Sequence, residues 1–310
     1  MMGEAIMRTT LVAAAAALLA AGGARAQDVA VLTPYLSSVT TNEMVEAFAA
    51  AAEERGWSVN VVDTRGDFGQ LASRVEDVAG AGVDAIVLAS VDPAQIADQV
   101  AAAAEAGIPV AAIDGAMAPG VALNVTSDNF ELGTNLSEFL FAQMGGEGRL
   151  VKLYHSAHPG VRQRELALDE ALARHPGIEV VAEHYVQVPG PIDDARLAVE
   201  AILSQRGDGI DAVWAAWDEP AIGAHLALEA MSPDAPVIVA GIDGNPQAVE
   251  LIRGCTQIRG TVRQDFETMA RTAAEKLAAI LEGGAGEPED ARVPSILVTR
   301  ESLGVECPEG

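Results

Sequence analysis

The chain has 310 residues, of which 50% are hydrophobic, and a formal net charge of −26 at pH 7. This length and apolar content are typical of a globular protein with two domains of ordinary size. So acidic a surface repels nucleic acid and anionic membranes, and the sequence contains no cluster of Lys and Arg to offset it. We therefore expect no nucleic acid among the partners of this protein.

The first 26 residues have the features of a secretory signal peptide. Arg8 precedes the apolar run Leu11–Ala21, and Ala24–Ala26 forms an A-x-A cleavage signal before Gln27. The apolar run is too short to span a bilayer, which requires about 20 residues. We predict a soluble exported protein that begins near Gln27, with a cytoplasmic protein that has an Ala-rich leader as the alternative.

From Asp28 onward, short apolar runs alternate with amphipathic helical patterns. The predicted strands of the first half are Val29–Thr33, Ser58–Asp63, Ala85–Ala89, Pro109–Ile113 and Val121–Val125. The predicted helices between them are Asn42–Arg55, Phe68–Ala79 and Pro93–Ala106. Strands that are apolar almost throughout indicate a parallel sheet covered by helices on both faces.

The same alternation starts again near Ser127–Asn129. The predicted helices are Leu132–Met144, Pro159–His175, Ile192–Gln205, Pro220–Met231 and Pro246–Arg253, and the strands are Arg149–Tyr154, Ile178–Tyr185, Ala212–Ala216 and Pro236–Ala240. A late helix, Phe266–Glu282, and a last strand, Ser295–Val298, are predicted to return to the first and second halves. We therefore predict an α/β protein with two similar doubly wound parallel-sheet lobes joined by three crossovers. The N-terminal lobe would comprise residues 27–128 and 264–289, and the C-terminal lobe residues 129–263 and 290–310.

Polar residues follow several of the predicted strands directly. Trp217 and Asp218 end one apolar run, and Asp218 and Pro220 suit the N-cap and first turn of the next helix. Asp114 and Asp243 each stand in an Ile-Asp-Gly pattern after an apolar run. Ligands bind outside the carboxyl ends of the strands in open parallel sheets, so these residues are candidates for a binding site.

The remaining chemical signals argue against catalysis and against a metal. The sequence has no G-x-S-x-G elbow and no glycine-rich phosphate loop, and its five histidines lack the ligand spacing of a zinc site. His155 and His158 flank a predicted strand end and are weaker candidates for the cleft. In an oxidising compartment, Cys255 and Cys307 are predicted to form a disulfide, with two free thiols as the alternative. We predict a binding protein that is not an enzyme and has no metal and no cofactor.

A series of short motifs occurs in order along nearly the whole mature chain. These motifs are Ala112–Asp114, Thr126–Asn129, Val161–Arg164, Trp217–Ala224, Gly241–Gly244 and Thr261–Gln264. In this order, behind a signal peptide, they resemble the periplasmic sugar-binding proteins of ABC importers, of the ribose-binding type. Repressors of the LacI type share this core, but they carry an N-terminal DNA-binding motif in place of a leader.

The resemblance implies a sugar or sugar alcohol bound between the lobes by a monomer, which then docks on an inner-membrane ABC permease. It implies that Asp114 and Asp243 accept hydrogen bonds from ligand hydroxyls and that Arg162 donates them, with Arg164 as the alternative to Arg162. The full predicted ligand site is Tyr35, Thr41, Asp114, Arg162, Trp217, Asp218, Asp243 and Gln264. A non-carbohydrate polar solute, or a role as a ligand sensor in chemotaxis, is the alternative function.

The sequence also departs from the ribose-type pattern. Thr40 and Thr41 fall where that family places aromatic rings, and Gly115 falls where a basic residue often follows the aspartate. Tyr35 and Trp217 are then the remaining candidates for stacking on a sugar face. We expect a slim or acyclic ligand, such as a short polyol.

Overall fold

The computed structural model describes residues 26–206, 209–283 and 286–307. The predicted signal peptide, except for Ala26, lies outside the described residues, as do residues 308–310 of the predicted C-terminal lobe. Within the described ranges, no helix is both long enough and apolar enough to cross a membrane.

The first sheet consists entirely of parallel strands and has the order β11-β5-β4-β3-β1-β2. Its strands are β1 (Asp28–Thr33), β2 (Ser58–Asp63), β3 (Ala85–Ala89), β4 (Val110–Ile113), β5 (Val121–Thr126) and β11 (Glu289–Arg292). Helices α1 (Val39–Glu53) and α9 (Phe266–Leu281) cover one face, and α2 (Phe68–Ala81) and α3 (Ala97–Glu105) cover the other.

The second sheet repeats this arrangement with the order β12-β10-β9-β8-β6-β7. Its strands are β6 (Gly148–Tyr154), β7 (Ile178–Tyr185), β8 (Ala212–Ala215), β9 (Ile238–Asp243), β10 (Ile258–Arg263) and β12 (Ile296–Thr299), the last of which is antiparallel to β10. Helices α4 (Asn129–Gln143) and α5 (Pro159–Arg174) cover one face, and α6 (Pro191–Arg206), α7 (Asp218–Met231) and α8 (Pro246–Arg253) cover the other. The predicted fold class, two doubly wound α/β lobes, is confirmed.

The apolar strands carry the stability of each lobe. Every residue of β3 and of β8 is buried, which is the reason for their unbroken apolar sequence. Each buried aliphatic side chain stabilises the fold by about 1.5–3 kcal/mol relative to an exposed one. Trp214 is fully buried, and its indole N–H donates to Ser137 Oγ at 3.1 Å.

Helices α1 and α7 are among those that begin earlier than the sequence predicts. Helix α1 begins at Val39 rather than Asn42, so Thr40 and Thr41 lie in its first turn rather than in a loop. Helix α7 begins at Asp218 with Trp217 as its N-cap, so the prediction that Asp218 is the cap was wrong. The Asp218 carboxylate turns instead to buried donors behind the helix, the backbone N–H of Asn245 and the hydroxyl of Thr261.

The late returns of the chain differ from the prediction at one strand. Helix α9 and strand β12 return to the first and second sheets as predicted, but β11 was not predicted. Three of its four residues are exposed, because β11 is an edge strand that pairs with β5 alone. The predicted start of the last C-terminal-lobe segment, at residue 290, falls inside this strand. We propose the predicted division into lobes with this last crossover moved to Val293–Ser295.

Cys255 and Cys307 form a disulfide across 52 residues of sequence, as predicted. Cys255 follows α8, and Cys307 lies beyond β12. The bond therefore ties the C-terminal segment, which supplies the antiparallel edge strand, to the body of the C-terminal lobe.

Replacing both cysteines with serine should destabilise the protein by about 4 kcal/mol, because the unfolded chain regains the entropy of a 52-residue loop. Urea unfolding of the protein with and without a reductant measures this. The reductant should lower the stability of the wild type and leave the double-serine variant unchanged. An equal response of both proteins would contradict the expectation.

Candidate ligand-binding cleft

The carboxyl ends of the two sheets face a shared cavity of about 70 Å³. The N-terminal lobe lines it with a tyrosine, several hydroxyls and a carboxylate, from Tyr35, Ser37, Ser38, Thr40, Thr41, Ser90 and Asp114. The C-terminal lobe adds rings, charges and apolar groups, from His155, His158, Val161, Arg164, Val188, Pro191, Trp217, Glu219 and Asp243. Of the predicted site, the cavity brings together Tyr35, Thr41, Asp114, Trp217 and Asp243.

Unusual backbone conformations aim the strand-end side chains into this cavity. Ser90, Asp114 and Asp243 follow or end β3, β4 and β9 with positive φ angles of 56°, 52° and 124°. Such angles are uncommon for residues other than glycine and cluster at functional sites. The glycine after Asp243 is required, since a Cβ on Gly244 would lie 2.6 Å from the Cβ of Arg263. The Ile-Asp-Gly pattern thus marks a tight turn that presents a carboxylate.

Asp114 is buried but only loosely held. Its carboxylate lies 3.5 Å from the hydroxyls of Ser90 and Thr126, and also 3.5 Å from His158 Nε2. Short O–H···O hydrogen bonds are about 2.5–3.0 Å long, so these contacts leave acceptor capacity on the carboxylate. The Thr41 hydroxyl lies 3.2 Å from that of Ser90 and extends the polar patch.

Asp243 is held more firmly, from the opposite lobe. It accepts a hydrogen bond from Gln264 Nε2 at 2.9 Å, and Arg164 Nη1 lies 3.7 Å away. Thr40 reaches it from the N-terminal lobe at 3.4 Å. Burial raises the pKa of Asp243 to about 6, against the opposing effects of Arg164 and Gln264.

Arg164, not Arg162, is the arginine of the cavity. Arg164 is only 2% exposed, and it donates to Asn129 Oδ1 at 2.8 Å and to the Ala216 carbonyl at 2.7 Å. Gly133 permits this, because a Cβ there would lie 2.7 Å from the Arg164 Cα. Residues two apart on a helix point about 200° apart, so Arg162 lies on another face of α5. The sequence favoured Arg162 as the ligand contact over Arg164, whereas the structure places Arg164 and not Arg162 in the cavity lining.

Arg162 instead bridges the two lobes beside the cavity. Its guanidinium pairs with Asp92, in the loop after β3, and donates to the Ser156 carbonyl at 2.7 Å. Next to this pair, Gln95 of the N-terminal lobe donates to the Ala157 carbonyl at 2.9 Å. These contacts join the lobes without using a cavity-lining side chain.

Asp218 and Gln264 also lie outside the cavity lining, although both were predicted as ligand contacts. Asp218 is fully buried against Thr261 and Asn245, and burial raises its pKa well above the usual range of a carboxyl. Gln264 touches the cavity only through its hydrogen bond to Asp243. Both side chains position the end of β9 rather than the cavity surface.

Glu219 is a cavity residue that the sequence interpretation missed. It accepts a hydrogen bond from the Trp217 indole N–H at 3.1 Å. Ser38 and Val39, at the start of α1 in the other lobe, lie close enough to oppose a rise in its pKa. Burial raises its pKa. The sequence feature that could have identified Glu219 was its position in the first turn of a helix that directly follows a strand.

Tyr35, His155 and Trp217 form one aromatic side of the cavity. The Tyr35 hydroxyl lies 3.1 Å from His155 Nε2, and the His155 ring meets the rings of Tyr35 and Trp217 edge-on. Burial raises the pKa of Tyr35 and lowers that of His155, so both are neutral near pH 7. Tyr35 and Trp217 were the predicted ring platforms, and His155 and His158 line the cavity beside them.

A cleft between two doubly wound lobes, lined by hydrogen-bonding groups from both, defines a two-lobed ligand-binding protein. Residues 29–285 match the family model of the periplasmic binding protein domain, and the chain belongs to this family.

Similar proteins span most of the chain. It is 31% identical over 238 residues to the ribose import binding protein RbsB of Bacillus subtilis (strain 168), a match covering 75% of this chain and 74% of that protein. It is 31% identical over 190 residues to the xylitol-binding protein of Mycolicibacterium smegmatis, covering 60% of this chain and 53% of that one. The crystal structure of an ABC transporter solute binding protein from Agrobacterium vitis with bound allitol superposes with a TM-score of 0.84 and 26% identity, covering 90% of this chain and 97% of that one.

Asp243→Asn should change how stability depends on pH. An unfolded Asp titrates near pH 4, at about 3.9, whereas in the folded protein the pKa of Asp243 is about 6. The folded state therefore binds this proton more tightly, and the carboxyl costs stability as the pH rises from about 4 through 6. Relative to Asp243→Asn, the wild type should lose up to about 3 kcal/mol across this window. Urea unfolding of both proteins between pH 4 and pH 7.5 measures the difference.

The exposed Asp98 of α3 supplies a matched control. Asp98→Asn removes the same charge at the surface and should follow the wild type across the same pH range. A gap between wild type and Asp243→Asn that does not vary with pH would contradict the assignment of the raised pKa.

Proposed function

We propose that this protein captures a sugar or sugar alcohol in the cleft between its lobes, in the periplasm, and delivers it to an inner-membrane ABC permease. The observation that carries the proposal is the pair Asp114 and Asp243. These two buried carboxylates end strands of opposite lobes and line the same cavity. A ligand that donates hydrogen bonds to both must lie between the lobes.

The polar groups of the cavity suit vicinal hydroxyls. A hydroxyl donates one hydrogen bond and accepts two, which matches the carboxylates, the Arg164 guanidinium and the threonine and serine hydroxyls around it. The similar proteins support the same class, since their names and titles give ribose, xylitol and allitol. These three molecules share a chain of adjacent hydroxyl groups.

The shape of the cavity favours a slim ligand. The first turn of α1 supplies Thr40 and Thr41 rather than rings, and the rings of Tyr35 and Trp217 line the cavity with His155 between them. A pyranose clamped between two parallel rings has no counterpart among these side chains. We therefore propose an acyclic polyol or a small furanose over a pyranose.

Closure of the two lobes couples binding to transport. Each lobe supplies part of the hydrogen-bond set, so a ligand stabilises the arrangement in which both parts meet. The permease would then recognise the closed pair of lobes. Export is supported by the signal-peptide pattern of the first 26 residues.

A thermal-shift screen tests the ligand class. Xylitol, ribitol, allitol and ribose should raise the melting temperature more than glucose and galactose do, because the cavity lacks a ring clamp. Calorimetry with the strongest of these should show binding about 10- to 100-fold weaker for Asp243→Asn, since hydrogen bonds to charged groups contribute about 1.5–3 kcal/mol. Asp98→Asn should bind like the wild type. Larger shifts with the pyranoses would contradict the acyclic preference, and the absence of a shift with any polyhydroxylated compound would contradict the proposed function.

The Arg162–Asp92 pair should raise affinity although it does not line the cavity. Arg162→Gln leaves the buried Asp92 carboxylate without its cation in the closed form only, so closure becomes less favourable. We expect binding of the best polyol to weaken about three- to tenfold, within the range of partly exposed ion pairs. Calorimetry measures the affinity, and small-angle scattering of the ligand-saturated protein measures closure.

Arg174→Gln is the matched control for this prediction. Arg174 lies on the same helix and pairs with Glu138 of α4 at 2.8 Å, but within one lobe. The Arg174→Gln variant should therefore bind the polyol with the affinity of the wild type. In the double variant Arg162→Gln/Asp92→Asn, the loss of binding free energy should be smaller than the sum of the losses in the two single variants. Strict additivity would show that the pair does not couple the lobes.

A further inference from the structure

The cavity is lined by more acidic side chains than basic ones. Three carboxylates line it, from Asp114, Glu219 and Asp243, against the single guanidinium of Arg164. In the part of the chain that the structure describes, no other Arg and no Lys lines the cavity. Apart from the two histidines, the carboxylates of the lining therefore outnumber its cations by two.

Hydrogen-bond geometry sets which ring nitrogen of each cavity histidine can donate. His158 Nδ1 accepts the backbone N–H of Gly160 at 3.1 Å, so Nε2 is the nitrogen that faces Asp114. His155 Nδ1 lies 2.9 Å from the Val186 carbonyl and must donate to it, which leaves Nε2 to accept the hydroxyl of Tyr35. His158 therefore offers Asp114 one N–H donor, at 3.5 Å, rather than a close ion pair.

Two of the three carboxylates have strong partners in the protein. Asp243 has Gln264 at 2.9 Å and the Arg164 guanidinium at 3.7 Å. Glu219 accepts a hydrogen bond from the Trp217 indole at 3.1 Å and lies beside the first turn of α1. The positive end of the α1 dipole adds to the stabilisation of Glu219.

Asp114 has no such partner. It is 5% exposed, and the three donors around it stand at 3.5 Å. The next residue is Gly115, whose position is closed to a side chain because a Cβ there would lie 2.8 Å from the Val91 carbonyl oxygen. Buried carboxylates are ordinarily paired with a cation or with several short hydrogen bonds. A ligand that enters the cavity is thus the natural source of the missing cation.

We propose that the preferred ligand is a polyhydroxylated molecule with a primary ammonium group, an amino sugar alcohol or amino sugar, whose ammonium lies against Asp114. The inference rests on the proposed function and names the ligand class of the same cleft. An ammonium has three N–H donors, which match the Asp114 carboxylate and the adjacent hydroxyls of Ser90 and Thr41. The remaining hydroxyls of the ligand lie toward Asp243 and Arg164.

A neutral hydroxyl in the same place is a weaker match. It donates one hydrogen bond rather than three and leaves the Asp114 charge without a counter-ion. Charge-assisted hydrogen bonds of the ammonium–carboxylate type are about twice as strong as neutral ones. The difference should therefore appear as a preference between two ligands that differ only at this group.

Matched pairs of compounds test the inference on the wild-type protein. The pairs are xylitol with 1-amino-1-deoxyxylitol, glucitol with 1-amino-1-deoxyglucitol, and glucose with its 2-amino-2-deoxy and 3-amino-3-deoxy derivatives. Calorimetry near pH 7 should show at least one amine that binds about tenfold or more tightly than its hydroxyl partner. N-acetylation, which removes the charge, should abolish the preference.

Variants assign the preference to one carboxylate. Asp114→Asn should bring the ratio of amine to hydroxyl affinity close to one, whereas Asp98→Asn should leave the ratio at the wild-type value. Hydroxyl compounds that bind as tightly as every amine partner would overturn the inference while leaving the proposed function standing. If neither series binds, the proposed function itself fails. Because the wild-type comparison needs no variant, the inference stays testable even if Asp114→Asn does not fold.

Discussion

The buried guanidinium of Arg164 is the interaction on which the C-terminal side of the cleft depends. It joins the helix that carries it to the start of α4, through Asn129, and to the end of β8, through the Ala216 carbonyl. Its remaining side faces Asp243 at the end of β9. A buried charge is tolerated only when it is well paired, so these partners fix one another. The planar fork of arginine, with five donors, suits a junction of this kind.

The two lobes contribute different chemistry to the same cavity. The N-terminal lobe supplies mostly hydroxyls, at the start of α1 and after β3, together with Asp114. The C-terminal lobe supplies the guanidinium, two carboxylates and most of the rings. Neither set surrounds a ligand alone. Under the proposed function, binding strength is linked to the equilibrium between separated and joined lobes, and the Arg162–Asp92 contact would act on that equilibrium from outside the cavity.

Most of the fold follows from local pattern, for a simple reason. Strands covered on both faces are apolar throughout, and the helices between them bury one stripe, so both leave a clear periodicity. Strand β11 was not predicted because an exposed edge strand needs no apolar residues. The early start of α1 was not predicted because its first turn contains threonines, which favour loops as readily as helices. The roles of Tyr35, Thr41, Asp114, Trp217 and Asp243 as ligand contacts stay predictions, but all five line the cavity.

The sequence by itself determined the two lobes and the strand-end positions of Asp114 and Asp243, because sheet polarity places every strand end at the same edge. Tertiary structure decided which of the nearby polar side chains reach the cavity. Arg162 and Arg164 are equally polar in sequence, and only the packing of α5 against α4 turns Arg164 inward. Asp218 is a residue type that often caps helices, but its carboxylate accepts hydrogen bonds from buried donors behind the helix, the Thr261 hydroxyl and the Asn245 backbone N–H. These outcomes depend on partners distant in sequence, whose positions no local pattern encodes.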